Sequence, residues 1–363
     1  MVCHLHCWGK FLVLCLLAAA CSSEQTTSSS LMADAESRFH LEDPILIDES
    51  NFNHQFDTYV LPLWNKAEKG FFSGEDQANL FYAKYPHPNP KGNVLLVPGY
   101  SENSLKYREL AYNFYQQSYT VYTYDHRGHG FSDRLTGDRE MVYVEKWQNY
   151  VHDLQNFMQD IVASDDLPIF IFAHSMGAAI VTEVLQKDAS YNVQAVVMNA
   201  PLHQLNTDPY PNWMAKAIAS LGTLFWQGEQ YAPGQGPVNE ETWTVEGSGT
   251  SSVARFERYK YDSLSENIAL SGASNNWVRE TLKAGRRMTA KNQARKLATP
   301  IRLYQAGQDT YVLPGGQNRF CAEAPSCTLF FNESAKHEIY NEVDTIRNPY
   351  LNEVFEYFES FLH

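Results

Sequence analysis

Short apolar runs alternate with longer amphipathic stretches along much of this chain. The runs are four to six residues long and contain many β-branched and aromatic side chains, which is typical of buried strands. They lie at residues 93–97, 120–124, 168–172, 193–198, 301–305 and 328–331. Stretches with helical periodicity lie at 105–117, 142–162, 176–186 and 350–361. Short strands separated by helices predict an α/β protein with a mostly parallel sheet and helices on both faces.

The regular pattern is interrupted between residues 203 and 297. We interpret this segment, which lacks strand-like runs, as a helical cap inserted into one core formed by residues 36–202 and 298–363. Its aromatic side chains supply enough apolar surface to line a cleft for an acyl chain, or to form the core of the cap itself. They are Trp213, Phe225, Trp226, Tyr231, Trp243, Tyr259, Tyr261 and Trp277.

The first 20 residues have the organisation of a signal peptide, with Lys10 before an apolar run and small residues after it. The run is shorter than the roughly 20 residues that span a bilayer. The sequence up to Cys21 resembles the lipobox of bacterial lipoproteins, which implies export, acylation of Cys21 and anchoring to a bacterial membrane on its periplasmic face. Residues 22–30 are polar, and we predict a flexible tether over residues 21–35. Ordinary cleavage after an A-x-A site is the alternative.

Composition separates this chain from nucleic-acid-binding and disordered proteins. Hydrophobic residues make up 44% of it and charged residues 19%, as in globular proteins. The 28 basic side chains are outnumbered by 42 acidic ones, which gives a net charge of −14. Phosphate binding needs clustered Lys and Arg, so no nucleic-acid partner is expected.

Two of the six cysteines, Cys321 and Cys327, lie outside the first 21 residues. An exported chain reaches an oxidising compartment, and the spacing of this pair is not that of a metal site. We therefore predict a Cys321–Cys327 disulfide, with two free buried thiols as the alternative.

Ser175 lies between a predicted strand and a predicted helix, with Ala173 two residues before it and Gly177 two residues after it. A sharp strand-to-helix turn needs small residues at those places, because the two backbones approach closely. The pattern predicts a nucleophilic serine.

A serine nucleophile needs a histidine base and a carboxylate that orients this base. Asp309 follows the strand at 301–305, and His337 lies in the loop after 328–331. We therefore predict a Ser175, Asp309 and His337 triad, with Glu338 and Asp344 as the first alternatives for the acid.

Acyl transfer also needs donors for the oxyanion of the tetrahedral intermediate. The backbone N–H of Met176 and that of Tyr100, in the loop after the strand at 93–97, are the candidates. An ordinary Pro-Gly turn at Pro98 and Gly99 is the alternative interpretation of that loop.

Residues 55–360 resemble the monoacylglycerol-lipase and bacterial lysophospholipase group of α/β-hydrolases. The matching positions are 99–102, Tyr107, 124–132, 174–177, 307–309 and 336–338, together with Arg255, Phe256 and Trp277 in the cap. The group usually has His where this chain has Pro98. The resemblance implies an α/β-hydrolase fold, no metal or organic cofactor, and a structural role for the two histidines in residues 125–132.

The expected function is serine-dependent hydrolysis of carboxylic esters of single-chain lipids, as in a lysophospholipase or a monoacylglycerol lipase. The expected partners are therefore a lipid ester substrate and a membrane held through the N-terminal lipid. An esterase for small esters or a peptidase on the same triad is one alternative. A surface lipoprotein that binds lipid without catalysis is another.

Overall fold

The computed structural model describes residues 45–163, 166–188, 190–225 and 227–362. The predicted signal peptide, the tether, Cys21 and Trp226 lie outside the described residues.

Eight strands form one sheet in the part of the chain that the structure describes. The order is β1-β2-β4-β3-β5-β6-β7-β8, with β1 and β2 antiparallel to their neighbours and all other pairs parallel. The strands are β1 (Glu68–Ser73), β2 (Asn79–Tyr85), β3 (Asn93–Val97), β4 (Thr120–Tyr124), β5 (Ile169–His174), β6 (Val193–Asn199), β7 (Ile301–Ala306) and β8 (Cys327–Asn332). The predicted fold class is confirmed.

The helices connect the strands and build the cap. They are α1 (Phe52–Gln55), α2 (Leu61–Lys66), α3 (Arg108–Gln116), α4 (Trp147–Phe157), α5 (Ser175–Lys187), α6 (Asn212–Leu224), α7 (Val253–Ser265), α8 (Asn275–Met288), α9 (Lys291–Ala294), α10 (Pro314–Glu323) and α11 (Asp344–Glu359). The segment Phe56–Val60 between α1 and α2 and the segment Met158–Val162 after α4 are π-helical turns.

The central strand β5 shows how the sheet is covered on both faces. Successive side chains of a strand point to opposite faces. Ile171 belongs to the hydrophobic cluster that includes α4 and α5, whereas the ring of Phe172 contacts Phe114 of α3, with centroids 6.2 Å apart. A strand buried on both faces is apolar at every position, as the sequence at 168–172 is.

The cap is fastened to the core through a fully buried guanidinium. Arg255 of α7 makes a bidentate contact with Glu109 of α3, at 2.9 and 3.0 Å, and donates to Asp344 Oδ1 at 2.8 Å. It also donates to the carbonyl of Glu342 at 3.0 Å. Helix α6 of the cap is packed less closely than α7, since Ala219 is its one buried residue.

The predicted cap boundaries enclose α6, α7, α8 and α9, and none of the eight strands. Only some of the aromatic residues of the cap line the cleft between the cap and the core. Trp243, Tyr259 and Trp277 do, whereas Trp213, Phe225 and Tyr261 are exposed. Among the described residues, no helix is long and apolar enough to cross a bilayer.

A disulfide joins Cys321 near the end of α10 to Cys327 at the start of β8, with their Cα atoms 5.2 Å apart. The disulfide therefore links α10 covalently to β8 across the short loop between them.

Candidate active site

The turn between β5 and α5 presents Ser175 at the carboxyl edge of the sheet. Its φ is +49°, a left-handed conformation that is uncommon for a residue with a side chain. A Cβ atom on Gly177 would lie 2.3 Å from the carbonyl oxygen of Pro98 and 2.4 Å from that of Val97. Position 177 therefore has to be glycine for the elbow to pack against the loop after β3.

The structure brings together the three residues of the predicted triad. His337 Nδ1 lies 2.7 Å from Asp309 Oδ2, and His337 Nε2 lies 2.9 Å from Ser175 Oγ. A carboxylate only accepts hydrogen bonds, so Nδ1 carries the proton and Nε2 is free to accept from the serine hydroxyl. This is the geometry in which a histidine can take a proton from the nucleophile.

Asp309 is held in its ionised form. Its Oδ1 accepts hydrogen bonds from the backbone N–H groups of Tyr311 at 2.8 Å and Val312 at 3.1 Å. Burial alone would raise the pKa of this carboxyl, but His337 and these donors outweigh it and lower the pKa. The two alternative acids are engaged elsewhere, Glu338 with Lys106 and Asp344 with Arg255.

The two predicted oxyanion donors are the backbone N–H groups of Met176 and Tyr100. Met176 is the second residue of α5, where an N–H group has no carbonyl partner inside the helix. Tyr100 lines the same cavity as Ser175, and its own side chain is tied to the cap. Its hydroxyl donates to the carbonyl of Ser271 at 2.7 Å, and its ring centroid lies 4.5 Å from that of Trp277.

The loop that follows β4 is a buried brace beside the site. Asp125 accepts from the N–H groups of Ser104 at 2.6 Å and Phe131 at 2.8 Å. His126 Nε2 donates to the carbonyl of Pro98 at 2.8 Å, which ties this loop to the loop after β3. In the described residues, no group of three or more His, Cys, Asp or Glu is placed to hold a metal ion.

A cavity of about 680 Å³ opens onto Ser175 between the core and the cap. One part of its lining is apolar and the other is polar. The apolar lining includes Leu202, Leu205, Ala215, Ile218, Ala219, Trp277 and Val278. The polar lining includes Glu102, Lys106, Thr250, Tyr259, Glu338 and Asn341.

The polar lining contains a buried charge cluster that the sequence analysis missed. Lys106 Nζ lies 2.8 Å from Glu102 Oε1 and 2.6 Å from Glu338 Oε1, and its side chain is 6% exposed. Burial disfavours the charged amine, but the two carboxylates outweigh this and raise its pKa. Glu102 belongs to residues 99–102, which match the hydrolase group, yet nothing in the sequence pattern identifies Lys106 as its partner.

Four buried histidines should make the protein sensitive to acid. Burial lowers the pKa of His126 to about 4 and the pKa values of His129, His174 and His203 to about 3. In the unfolded chain these rings titrate near 6.5, so between about pH 6.5 and 4 unfolding takes up protons and stability falls as the pH falls, by about 1.4 kcal/mol per pH unit for each proton. Asp125 opposes this by one proton at most, because burial raises the pKa of its carboxyl to about 6.

Urea unfolding measured from pH 7 to pH 4 tests this expectation. The midpoint should fall continuously below about pH 6.5. A midpoint that stays constant down to pH 4.5 would contradict it.

Comparison with known proteins identifies the family. The family sequence model described as "Serine aminopeptidase, S33" matches residues 88–344. Over 307 residues the chain is 28% identical to "Probable lysophospholipase L2" of Haemophilus influenzae, covering 83% of this chain and 95% of that protein. It is 29% identical to "Lysophospholipase L2" of Escherichia coli K12, covering 81% and 88%.

Solved structures show the same fold at lower identity. The monoglyceride lipase of Saccharomyces cerevisiae superposes with a TM-score of 0.63 at 20% identity, covering 81% of this chain and 96% of that one. The monoacylglycerol lipase of Paleococcus ferrophilus superposes with a TM-score of 0.60 at 20% identity, covering 78% and 99%. The chain is thus a serine hydrolase that belongs to the serine aminopeptidase S33 family of α/β-hydrolases.

Proposed function

We propose that this protein hydrolyses carboxylic esters of single-chain lipids, with Ser175 as nucleophile, His337 as base and Asp309 as the acid that orients it. The observation that carries the proposal is the hydrogen-bonded Ser175, His337 and Asp309 array at a cavity that is apolar on one part of its wall and polar on the other. The names of the bacterial relatives point to the same substrate class.

The reaction follows from the placement of the three side chains. Ser175 Oγ attacks the ester carbonyl carbon while its proton passes to His337 Nε2. The N–H groups of Tyr100 and Met176 stabilise the oxyanion. When the intermediate collapses, the carbon–oxygen bond to the alcohol breaks and His337 returns the proton to the departing alcohol. Water then cleaves the acyl-serine by the same steps, which releases the fatty acid.

The volume of the cavity, about 680 Å³, and its lining support a substrate with one chain. An acyl chain would lie along the apolar wall, near Leu205, Ile218 and Val278, and the alcohol part would face Lys106 and Glu338. A second chain would have to remain in water, at a cost of about 0.8 kcal/mol for each exposed methylene.

An aminopeptidase activity is the alternative that the family description raises. Such an enzyme has to bind the α-ammonium group of its substrate, which calls for an unpaired carboxylate near the nucleophile. Glu102 and Glu338, the two glutamates that line the cavity, are both paired with Lys106, whereas Asp208 lines the cavity at an exposed position. The pairing of both glutamates and the names of the bacterial relatives favour the ester hydrolase.

A substrate panel tests the proposal. We expect kcat/KM for a lysophospholipid or a monoacylglycerol to exceed that for a diacyl phospholipid or a triacylglycerol by at least about tenfold under matched dispersal. Faster cleavage of the two-chain or three-chain lipids would contradict the cavity argument. Activity confined to short p-nitrophenyl esters would make it a small-ester esterase, and release of amino acids from peptides would make it a peptidase.

We also propose that the protein works at a bacterial membrane surface, held by acylated Cys21 after removal of residues 1–20, on the periplasmic face. A feature of the cap supports contact with lipid. Helix α6 lines the cavity with Ala215 and Ile218, while Trp213, Leu224 and Phe225, the last just beyond its end, are 64%, 70% and 65% exposed. Exposed apolar groups beside a substrate entrance are typical of a membrane-contacting surface.

Two variants separate the contributions of the anchor and of α6. Cys21→Ala should release the protein from membranes, whereas Trp213→Glu with Leu224→Glu should lower the rate on vesicle-borne lysolipid by about tenfold without changing hydrolysis of a soluble p-nitrophenyl ester. Phe331→Glu is the matched control, because Phe331 is 64% exposed on the edge strand β8. An equal loss in the control, or a wild-type protein that carries no lipid and stays soluble, would refute this part of the proposal.

A further inference from the structure

The loop that carries the Tyr100 N–H is braced by a carboxylate from the polar wall of the cavity. The side chain of Glu102 is 4% exposed and folds back under the loop, where its Oε2 accepts from the N–H of Gly99 at 2.5 Å. The same oxygen accepts from the hydroxyl of Tyr107 at 2.6 Å. Its Oε1 accepts from the hydroxyl of Tyr340 at 3.0 Å and pairs with Lys106.

Glu102 is held ionised by these contacts. Burial by itself would raise the pKa of this carboxyl, but Lys106 and the hydrogen-bond donors outweigh it and hold the pKa well below its usual range. His174 lies 3.7 Å away, and burial keeps this ring neutral, so Lys106 is the balancing charge. A carboxylate accepting several charged and neutral donors is a rigid support, since its lone pairs are all engaged.

The peptide between Gly99 and Tyr100 is therefore fixed from both ends. On one side the N–H of Gly99 is bound to Glu102. On the other side Ser101 has a φ of +56°, and its carbonyl accepts from the hydroxyl of Tyr259 at 2.8 Å. A side chain does not fit at position 99, because a Cβ there would lie 2.8 Å from Glu102 Oε2.

We propose that Glu102 is a positioning residue for the oxyanion hole, which sets the direction of the Tyr100 N–H by holding the N–H of the preceding residue. It supplies the brace at a loop where the group usually has His and this chain has Pro98. The inference rests on the proposed serine mechanism but not on the identity of the lipid. Glu102 does not touch the reacting atoms; it acts through the loop.

The test compares a ligand that forms an oxyanion with one that does not. A long-chain trifluoromethyl ketone adds Ser175 Oγ to its carbonyl and places an oxyanion in the hole, whereas the matching alkyl ether binds the same cleft without reaction. In Glu102→Ala, the affinity for the ketone and the kcat for p-nitrophenyl butyrate should both fall by about 10²- to 10³-fold, which is the loss typical of one oxyanion donor. The KM for the ester and the affinity for the ether should stay within about threefold of wild type. Glu102→Gln keeps an oxygen for the N–H of Gly99 and should recover at least about tenfold of the loss.

Two controls keep the result interpretable. Rates are expressed per site titrated with a fluorophosphonate, so a misfolded fraction does not count as slow enzyme. Glu183→Gln, on α5, removes a buried carboxylate that is paired with Arg287 and does not line the cavity, and its ketone-to-ether affinity ratio should stay within about threefold of wild type. An equal loss of ketone and ether affinity in Glu102→Ala, or an unchanged kcat per site, would overturn the inference. If Glu102→Ala does not fold, the ratios of ketone to ether affinity in Glu102→Gln and Tyr107→Phe provide the same test. A wild-type protein that does not react with fluorophosphonate would instead refute the serine mechanism.

Discussion

Ser175→Ala and His337→Ala should each lower kcat/KM for ester hydrolysis by about 10⁴- to 10⁶-fold and leave the fold intact. Either change removes the activated nucleophile, because the hydroxyl and the imidazole function as a unit joined at 2.9 Å. The double variant should be no slower than the single ones. Asp309→Asn should also be severe, since an amide can present its N–H₂ group to His337 Nδ1 and favour the tautomer that cannot accept from the serine.

Steady-state hydrolysis of a p-nitrophenyl ester, with circular dichroism to verify folding, measures these losses. Ser334→Ala and His54→Ala are matched controls at exposed positions and should retain wild-type rates. A folded Ser175→Ala protein with a measurable fraction of wild-type turnover would exclude Ser175 as the nucleophile. Near-normal activity in Asp309→Asn would transfer the orienting role to another carboxylate.

Five of the six strands that the sequence predicted, β3 to β7, are buried along most of their length, whereas β8 is a largely exposed edge strand. Strands β3 and β4 begin and end at the predicted residues, because runs rich in apolar, β-branched and aromatic side chains between turn residues favour buried strands in an α/β chain. Strands β1 and β2 were not predicted. Strand β1 begins with polar residues and buries only Phe72, and it is a strand because β2 pairs with it, from Glu68 opposite Lys84 to Ser73 opposite Asn79. Local periodicity of the sequence does not predict strand pairing of this kind.

The largest differences between the predicted and observed N-terminal ends of helices occur in two helices. The helix expected from residue 142 begins at Trp147, and the last helix begins at Asp344 rather than at 350. In the second case Pro349 lies inside the helix, where proline normally indicates a boundary. Arg347, just before it, donates to the carbonyl of Tyr340 at 2.8 Å, so tertiary contacts hold this first part of the helix in place.

The part of the candidate site whose residues follow one another in chain order could be predicted from the sequence. The part that depends on residues far apart in the sequence meeting in the fold could not. The serine turn, the acid after β7 and the histidine after β8 follow one another in the sequence as the mechanism requires. The support beneath the loop after β3 needs Glu102 from that loop, Tyr107 beside α3 and Tyr340 before α11 to meet at one point. Their sequence separation reaches 238 residues, and only the folded sheet brings them together.

Loss of the buried guanidinium that fastens the cap should destabilise the protein strongly. The side chain of Arg255 is 1% exposed, and its removal leaves the carboxylate of Glu109, 7% exposed, without its bidentate partner. Breaking a buried pair by removing one member typically costs about 3–5 kcal/mol of unfolding free energy. Arg347 lies 3.1 Å from Glu109 and retains part of the compensation, so we expect Arg255→Ala to fall at the lower end of that range.

Urea unfolding of Arg255→Ala and of the control Arg295→Ala provides the measurement. Arg295 makes a contact of the same length with Glu323, 2.9 Å, but its side chain is 59% exposed, and its loss should cost less than about 1 kcal/mol. Arg255→Lys keeps the charge and loses the planar two-point contact, so it should lie between the two. Equal free energies of unfolding for Arg255→Ala and Arg295→Ala would show that apolar contacts hold the cap. The buried ion pair would then contribute little to its attachment.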